Sequence, residues 1–173
     1  MRKKITLMFV ALFAIAAFAA TQVLNQATRR AATEVNVPDG TELSAFIQSV
    51  IAENPAVEAY VFNLAANASY TLSAPIEVGK SISIIGDAEN PATIDASAVT
   101  STIVRMATPS FAANVKGFYE IDKLALENLV VKGVNYYIYD DNKNAYAFSN
   151  FIINNCLFEL TNNKQDIDCP FRF

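Results

Sequence analysis

Four tyrosines surround a short run of acidic and amide side chains near residue 140, and together these residue types could bind sugars. The segment NYYIYDDNKNAYAF spans residues 135–148. Flat aromatic rings stack on sugar faces, while carboxylates and amides form hydrogen bonds with sugar hydroxyls. The predicted glycan-binding candidates are Tyr136, Tyr137, Tyr139, Asp140, Asp141, Asn142 and Tyr146. The alternative is an ordinary turn whose tyrosines are half-buried against neighbouring strands.

The same segment has a weak resemblance in spacing to a calcium loop. Asp140, Asn142 and Asn144 alternate as ligands do at the start of an EF-hand, but the Gly at position six and the Glu at position twelve are missing. Asp166 and Asp168 add two more oxygen donors near the end of the chain. Solvated turns explain both places more simply, so we predict no metal site and no cofactor, with calcium as the weaker alternative.

The two cysteines leave two interpretations open. A disulfide between Cys156 and Cys169 would close a short loop in an oxidising compartment. Cys156 also aligns with Leu129 in the repeat described below, which favours a packed core thiol.

The first 19 residues are predicted to be a secretory signal peptide. A basic start at residues 2–4 precedes an apolar run over residues 5–16, and Ala17-Phe18-Ala19 has the small-x-small pattern of a cleavage site. The alternative is an uncleaved anchor, but a membrane span needs about 20 apolar residues. We therefore expect export to the periplasm, the outer cell surface or the medium, with residues 20–36 as a spacer.

The composition limits the classes of partner that the protein can bind. The chain has 173 residues and a formal charge of −4, and loss of the signal peptide would leave 10 basic against 17 acidic residues, a charge of −7. Such an acidic protein lacks the basic surface that nucleic acids require, and no transmembrane segment remains after cleavage. Because 53% of the residues are apolar, a folded core is expected, and we assign residues 37–173 to one domain.

One helix is predicted, over residues 41–53. Its N-cap candidates lie at residues 39–42, and Asn54-Pro55 ends it. One apolar face follows from the helical spacing of Leu43, Phe46, Ile47, Val50 and Ile51.

The rest of the chain has the short apolar runs of β-strands, separated by Gly, Asn, Asp and Pro. The predicted strands are Tyr60–Leu64, Tyr70–Leu72, Ile76–Val78, Ser81–Ile85, Ser101–Met106, Lys123–Val131, Tyr136–Tyr139 and Asn150–Leu160.

A repeat of 27 residues relates two of these strands. LALENLVVKG at 124–133 aligns with FIINNCLFEL at 151–160, so that four apolar positions coincide and Asn128 meets Asn155. A looser series at intervals of 21 places Val61, Ile82, Ile103 and Leu124 at the starts of apolar runs. Stacked parallel strands would bring aligned residues about 4.8 Å apart, where asparagine amides can bond to each other.

These patterns predict an all-β fold: a right-handed single-stranded parallel β-helix with one amphipathic N-terminal capping helix. The blocks YTLSAPIEVGKSISIIGDAENPATID, LALENLVVKG and NFIINNCLFEL resemble the first coils of the pectate-lyase-like β-helix superfamily. More narrowly, they resemble a family of secreted β-helix proteins of unknown function from gut anaerobic bacteria. The resemblance covers residues 37 to 160 and implies that the helix plugs the open end of the coil.

The resemblance also implies polysaccharide elimination or hydrolysis as possible activities. Elimination needs a base, often Arg or Lys in these folds, and hydrolysis needs two carboxylates roughly 5–9 Å apart. The cationic candidates are Arg105, Lys116, Lys123 and Lys132, and the acidic ones are Glu120, Asp122 and Glu127. Glu127 aligns with Asn154, so no ladder of carboxylates forms, and the sequence contains no His for a catalytic triad. We predict no catalytic residue.

The predicted function is therefore a secreted or cell-surface module with a non-catalytic glycan-binding or scaffolding role. One alternative is the N-terminal fragment of a polysaccharide lyase or glycoside hydrolase whose catalytic coils lie beyond residue 173. A second is a purely structural or adhesive module. Because no second plug follows Leu160, we also expect a continuation of the chain, a packing partner or self-association at that end.

Overall fold

The computed structural model describes residues 31–99, 102–106, 119–133, 136–139, 146–159 and 171–172. The chain divides into two units, Met1–Ala31 and Ala32–Phe173, and every element below belongs to the second. Its helix, α1, is Leu43–Glu53. Its strands are β1 (Thr33–Val37), β2 (Ala59–Leu64), β3 (Ser69–Thr71), β4 (Ile76–Val78), β5 (Ser81–Ile85), β6 (Ala92–Asp95), β7 (Thr102–Met106), β8 (Tyr119–Lys132), β9 (Tyr136–Tyr139), β10 (Tyr146–Glu159) and β11 (Phe171–Arg172).

Helix α1 forms where the apolar spacing predicted it. Glu42 is the N-cap, and its carboxylate accepts a hydrogen bond of 2.6 Å from the Ala45 N–H. Leu43 and Ile47 are fully buried, which places the apolar face of the helix against the core. The helix ends at Asn54, before Pro55, as the sequence predicted.

The larger sheet has seven strands, and all its described pairings are parallel. Strand alternation sends every second residue of a strand into the core, and the parallel register stacks these residues in rows. Two such rows cross β2, β5, β8 and β10: Tyr60, Ile82, Leu124 and Phe151, then Phe62, Ile84, Leu126 and Ile153. Each fully buried side chain in these rows contributes about 1.5–3 kcal/mol.

Strand β8 bends at Asn128 and thereby joins two groups of strands. Its first half pairs with β5, and its second half pairs with β6. Asn128 has a φ of 58°, a left-handed conformation that Asn tolerates better than most residues. Its amide donates to the Gly86 carbonyl at 3.1 Å, and a Cβ on Gly86 would lie 2.2 Å from the Asn128 carbonyl oxygen. Only glycine fits beside this corner.

The predicted fold class, the right-handed single-stranded β-helix with a capping helix, is wrong. Stacked coils predict strands that follow one another in ascending order, whereas this sheet rises from β1 through β2 and β5 to β8 and then returns through β6 to β3. The cause is the 14-residue β8, which is continuous across the Asn128 corner and merges two groups of strands into one sheet. The result is a curled half-barrel of mostly parallel strands, and its order suggests a Rossmann-like α/β-type sheet rather than a β-helix. The described residues include one helix, α1.

The 27-residue repeat is confirmed as a parallel register. Phe151 pairs with Leu124, and Cys156 pairs with Leu129. Asn155 has a φ of 49°, and its amide donates to the Asn128 side-chain oxygen at 3.0 Å, as the stacked asparagines predicted. The series at intervals of 21 fails at all three of its steps, because Val61 pairs with Ser83 rather than Ile82, and Ile103 lies in a strand of the other sheet.

Three strands were not predicted. β1 lies at the end of the range predicted as a spacer, β6 is only four residues long, and β11 only two. All three are held by parallel pairing with strands distant in sequence, which local patterns do not reveal.

Candidate functional site

The second sheet has four strands in the order β11-β9-β7-β4 and contains the first three predicted tyrosines. Its parallel register forms two adjacent rows of residues. The first is Ile76, Val104, Ile138 and Phe171, and the second is Glu77, Arg105, Tyr139 and Arg172. We call the second row the Glu77–Arg172 row.

The two faces of this sheet differ in burial. Ile76, Thr102 and Val104 are buried, whereas Arg105 is exposed and Glu77 is half-buried on the opposite face. Residues in register share a face. In β9, Tyr136 pairs in register with Thr102. Tyr139 pairs in register with Arg105.

Glu77 and Arg105 form an ion pair across β4 and β7. The Arg105 Nε donates to Glu77 Oε1 at 2.8 Å, and Nη2 donates to the same oxygen. The side chains keep 46% and 31% of their surface exposed, so the pair is accessible to a ligand. Helix α1 supports this position, because Gln48 Nε2 donates to the Glu77 carbonyl at 3.0 Å.

The structure brings only some of the predicted glycan-binding residues together. Tyr136, Tyr137 and Tyr139 lie in β9, whereas Tyr146 begins β10 in the larger sheet, in register with Tyr119. The predicted candidates Asp140, Asp141 and Asn142, and with them Asn144, Asp166 and Asp168, lie outside the described residues. The glycan-binding assignment therefore stays a prediction.

The pairing of Glu77 with Arg105 was not predicted from the sequence. A signal for it existed: each is a charged residue flanked by apolar residues in a short strand, with opposite sign and 28 positions apart. That spacing is close to the 27-residue repeat, and it would have suggested adjacent strands.

The cationic residues considered for elimination are held in ion pairs where the structure describes them. Besides Arg105, the Lys123 Nζ lies 3.6 Å from Glu127 Oε1, and the Lys132 Nζ lies 3.8 Å from Glu159 Oε2. Glu127 pairs in register with Asn154, as predicted.

The remaining candidates form no cluster that the structure shows. Asp122 is exposed, Glu120 lies in β8, and Lys116 is outside the described residues. Within the described ranges no three His, Cys, Asp or Glu residues are grouped as metal ligands would be.

Cys156 is a half-buried free thiol on the core side of β10. Its Sγ lies 3.3 Å from the carbonyl oxygens of Leu126 and Asn154. Burial raises its pKa, which disfavours the reactive thiolate at neutral pH. These contacts fit the packed thiol of the second interpretation; Cys169 lies outside the described residues.

The fold is thus defined as a parallel β-rich unit with a polar, partly aromatic row on its second sheet. No family model, no curated protein and no solved structure matches the chain. The resemblance to the pectate-lyase-like superfamily accordingly stays a prediction. In the part of the chain that the structure describes, none of the helical segments has the length and apolar character needed to cross a membrane.

Proposed function

We propose that the protein is an exported, non-catalytic module that binds glycan on the exposed face of its second sheet. The observation that carries the proposal is the register of the Glu77–Arg172 row, in which Tyr139 is the strand partner of Arg105, a member of an accessible Arg–Glu pair. A tyrosine on the strand next to charged hydrogen-bonding groups suits a sugar, because a sugar presents both an apolar face and hydroxyls.

The parallel sheet supplies the scaffold for this site. Neighbouring strands lie about 4.8 Å apart, so residues in register on β4, β7 and β9 form a continuous strip along which an extended polymer can lie. The opposite face of the same strands packs Ile76 and Val104 into the core, which fixes the strip in place.

Export is the second part of the proposal, and it is supported by the basic and apolar pattern of residues 2–19. N-terminal sequencing of the protein recovered from the culture medium or periplasm should give a first residue of Ala20. Recovery of an intact Met1 from the membrane fraction would contradict it.

Affinity gel electrophoresis with a panel of soluble polysaccharides tests glycan binding. We expect at least one polysaccharide to retard the protein, with Tyr139→Ala and Tyr137→Ala reducing retardation about five- to tenfold because each loses a stacking ring. Tyr139→Phe keeps the ring and should retain most of the binding.

Thermal unfolding of each variant serves as the control for folding. A full panel without any retardation, with the protein folded, would remove the glycan-binding proposal.

A further inference from the structure

We propose that this site, if the glycan-binding proposal above holds, takes uncharged sugars, and that Arg105 held by Glu77 is the residue that contacts them. The inference rests on the charge and geometry of the pair, not on the tyrosines, so it can fail separately.

The ion pair offers both kinds of hydrogen-bonding group that a sugar hydroxyl uses. A guanidinium has five N–H donors, and the two contacts with Glu77 Oε1 use two of them. The second carboxylate oxygen of Glu77 is a further acceptor on the same exposed face. A hydroxyl is both donor and acceptor, so adjacent donors and acceptors match it.

The pair also disfavours an anionic ligand. Glu77 already neutralises Arg105, so a carboxylate or sulfate arriving at the guanidinium would have to compete with Glu77. Without the predicted signal peptide the chain has 10 basic and 17 acidic residues, a formal charge of −7, which repels a polyanion at long range. An uncharged polymer meets neither obstacle.

Arg172, in the same row, is the residue on which binding of an anionic glycan would depend. It holds the register position next to Tyr139 on the side away from Arg105. An anionic glycan would be expected to depend on Arg172, whereas an uncharged glycan should depend on Arg105, and the two dependences can be measured separately.

The test compares polymers that share a backbone and differ in charge. Hydroxyethyl cellulose is paired with carboxymethyl cellulose, and fully methyl-esterified polygalacturonate with unesterified polygalacturonate, in affinity gels at low salt. We expect the uncharged member of at least one pair to retard the protein more strongly, and Arg105→Gln to weaken that retardation about fivefold or more.

Two further variants separate contact from mere structure. Glu77→Gln should weaken binding of the uncharged polymer and raise binding of the anionic one, because it frees the guanidinium charge. Lys132→Gln is the matched control, since Lys132 is also paired with a Glu but lies in the larger sheet, and it should change neither.

The outcomes are distinguishable. Stronger retardation by the anionic members, lost in Arg172→Gln, would overturn this inference and leave glycan binding intact. Retardation by uncharged polymers that Arg105→Gln does not alter would overturn the role of Arg105. Retardation by none of the polymers, here and in the wider panel, removes both proposals.

Discussion

Strands β8 and β10 carry the same pattern of residues 27 positions apart, yet one is buried and the other is partly exposed. Leu124 is 0% exposed, whereas its register partner Phe151 is 39% exposed. β8 has strands on both sides, whereas among the described strands β10 pairs with β8 alone. The same sequence pattern therefore contributes more to the free energy of unfolding in β8 than in β10. Burial depends on neighbouring strands, which the pattern does not specify.

The largest expected difference comes from the paired positions Leu126 and Ile153. Leu126 is 2% exposed, and Leu126→Ala should reduce the free energy of unfolding by about 3 kcal/mol, since it removes a large side chain and leaves a cavity. Ile153 is only partly buried, so Ile153→Ala should cost about 1 kcal/mol. Urea denaturation with a common slope measures both. Equal losses would show that β10 is as well covered as β8.

Substitution of the two left-handed asparagines should also destabilise the protein more in β8 than in β10. The difference in the free energy of unfolding should be smaller than for Leu126 and Ile153. Asn128 donates to Gly86 and accepts from Asn155, so Asn128→Ala should cost about 2 kcal/mol through lost bonds and a strained left-handed backbone. Asn155→Ala should cost about 1.5 kcal/mol, because it brings the same left-handed strain but loses only one of these bonds.

Asn128→Gly is the control that separates the two causes. Glycine adopts the left-handed conformation without strain, so this variant should recover about half of the loss. If Asn128→Gly is as unstable as Asn128→Ala, the amide bonds alone carry the effect, and the backbone argument is wrong.

The local elements were predictable because their signals are local. The spacing of Leu43 and Ile47 and the proline at 55 predicted helix α1. Strands β4, β5 and β9 were predicted with their observed bounds. The stacking of Asn128 on Asn155 was predictable too, since both strands are long and the repeat is specific.

The arrangement of the strands was not predictable in the same way. The sheet order depends on where β8 bends and on the strand with which each half of β8 pairs. The alternating apolar pattern of Leu124–Val131 predicts neither of these. The candidate site, too, depends on strand pairing that the sequence pattern does not predict. The tyrosines of β9 were found by composition, but the proximity of Glu77 to Arg105 follows from the pairing of β4 with β7.

The smallest effect is expected at the N-terminus of helix α1, where hydrogen bonds to Glu42 add to the apolar burial of Leu43 and Ile47. The Glu42 carboxylate accepts from Ser44 Oγ at 2.6 Å, from the Ala45 N–H at 2.6 Å, and from the N–H and Oγ of Ser73 at 2.7 and 2.9 Å. Burial alone would raise the pKa of Glu42, but these hydrogen bonds outweigh it and lower the pKa from 4.5 to about 2.

A lowered pKa means that Glu42 stabilises the fold when it is ionised. Its contribution is complete above pH 4.5 and is lost as the pH falls towards 2. Solvent screening reduces the effect to about 1 kcal/mol, so Glu42→Gln should lower stability by that amount at pH 7 and by almost nothing near pH 2. Urea midpoints at pH 7, 4 and 2.5 measure this, with Glu89→Gln, an exposed carboxylate in the loop after β5, as the control. A Glu42→Gln deficit that stays constant down to pH 2.5 would mean that the charge of Glu42 contributes nothing. The attachment of α1 would then depend on the burial of Leu43 and Ile47, as the interior of the sheet depends on Leu124 and Leu126.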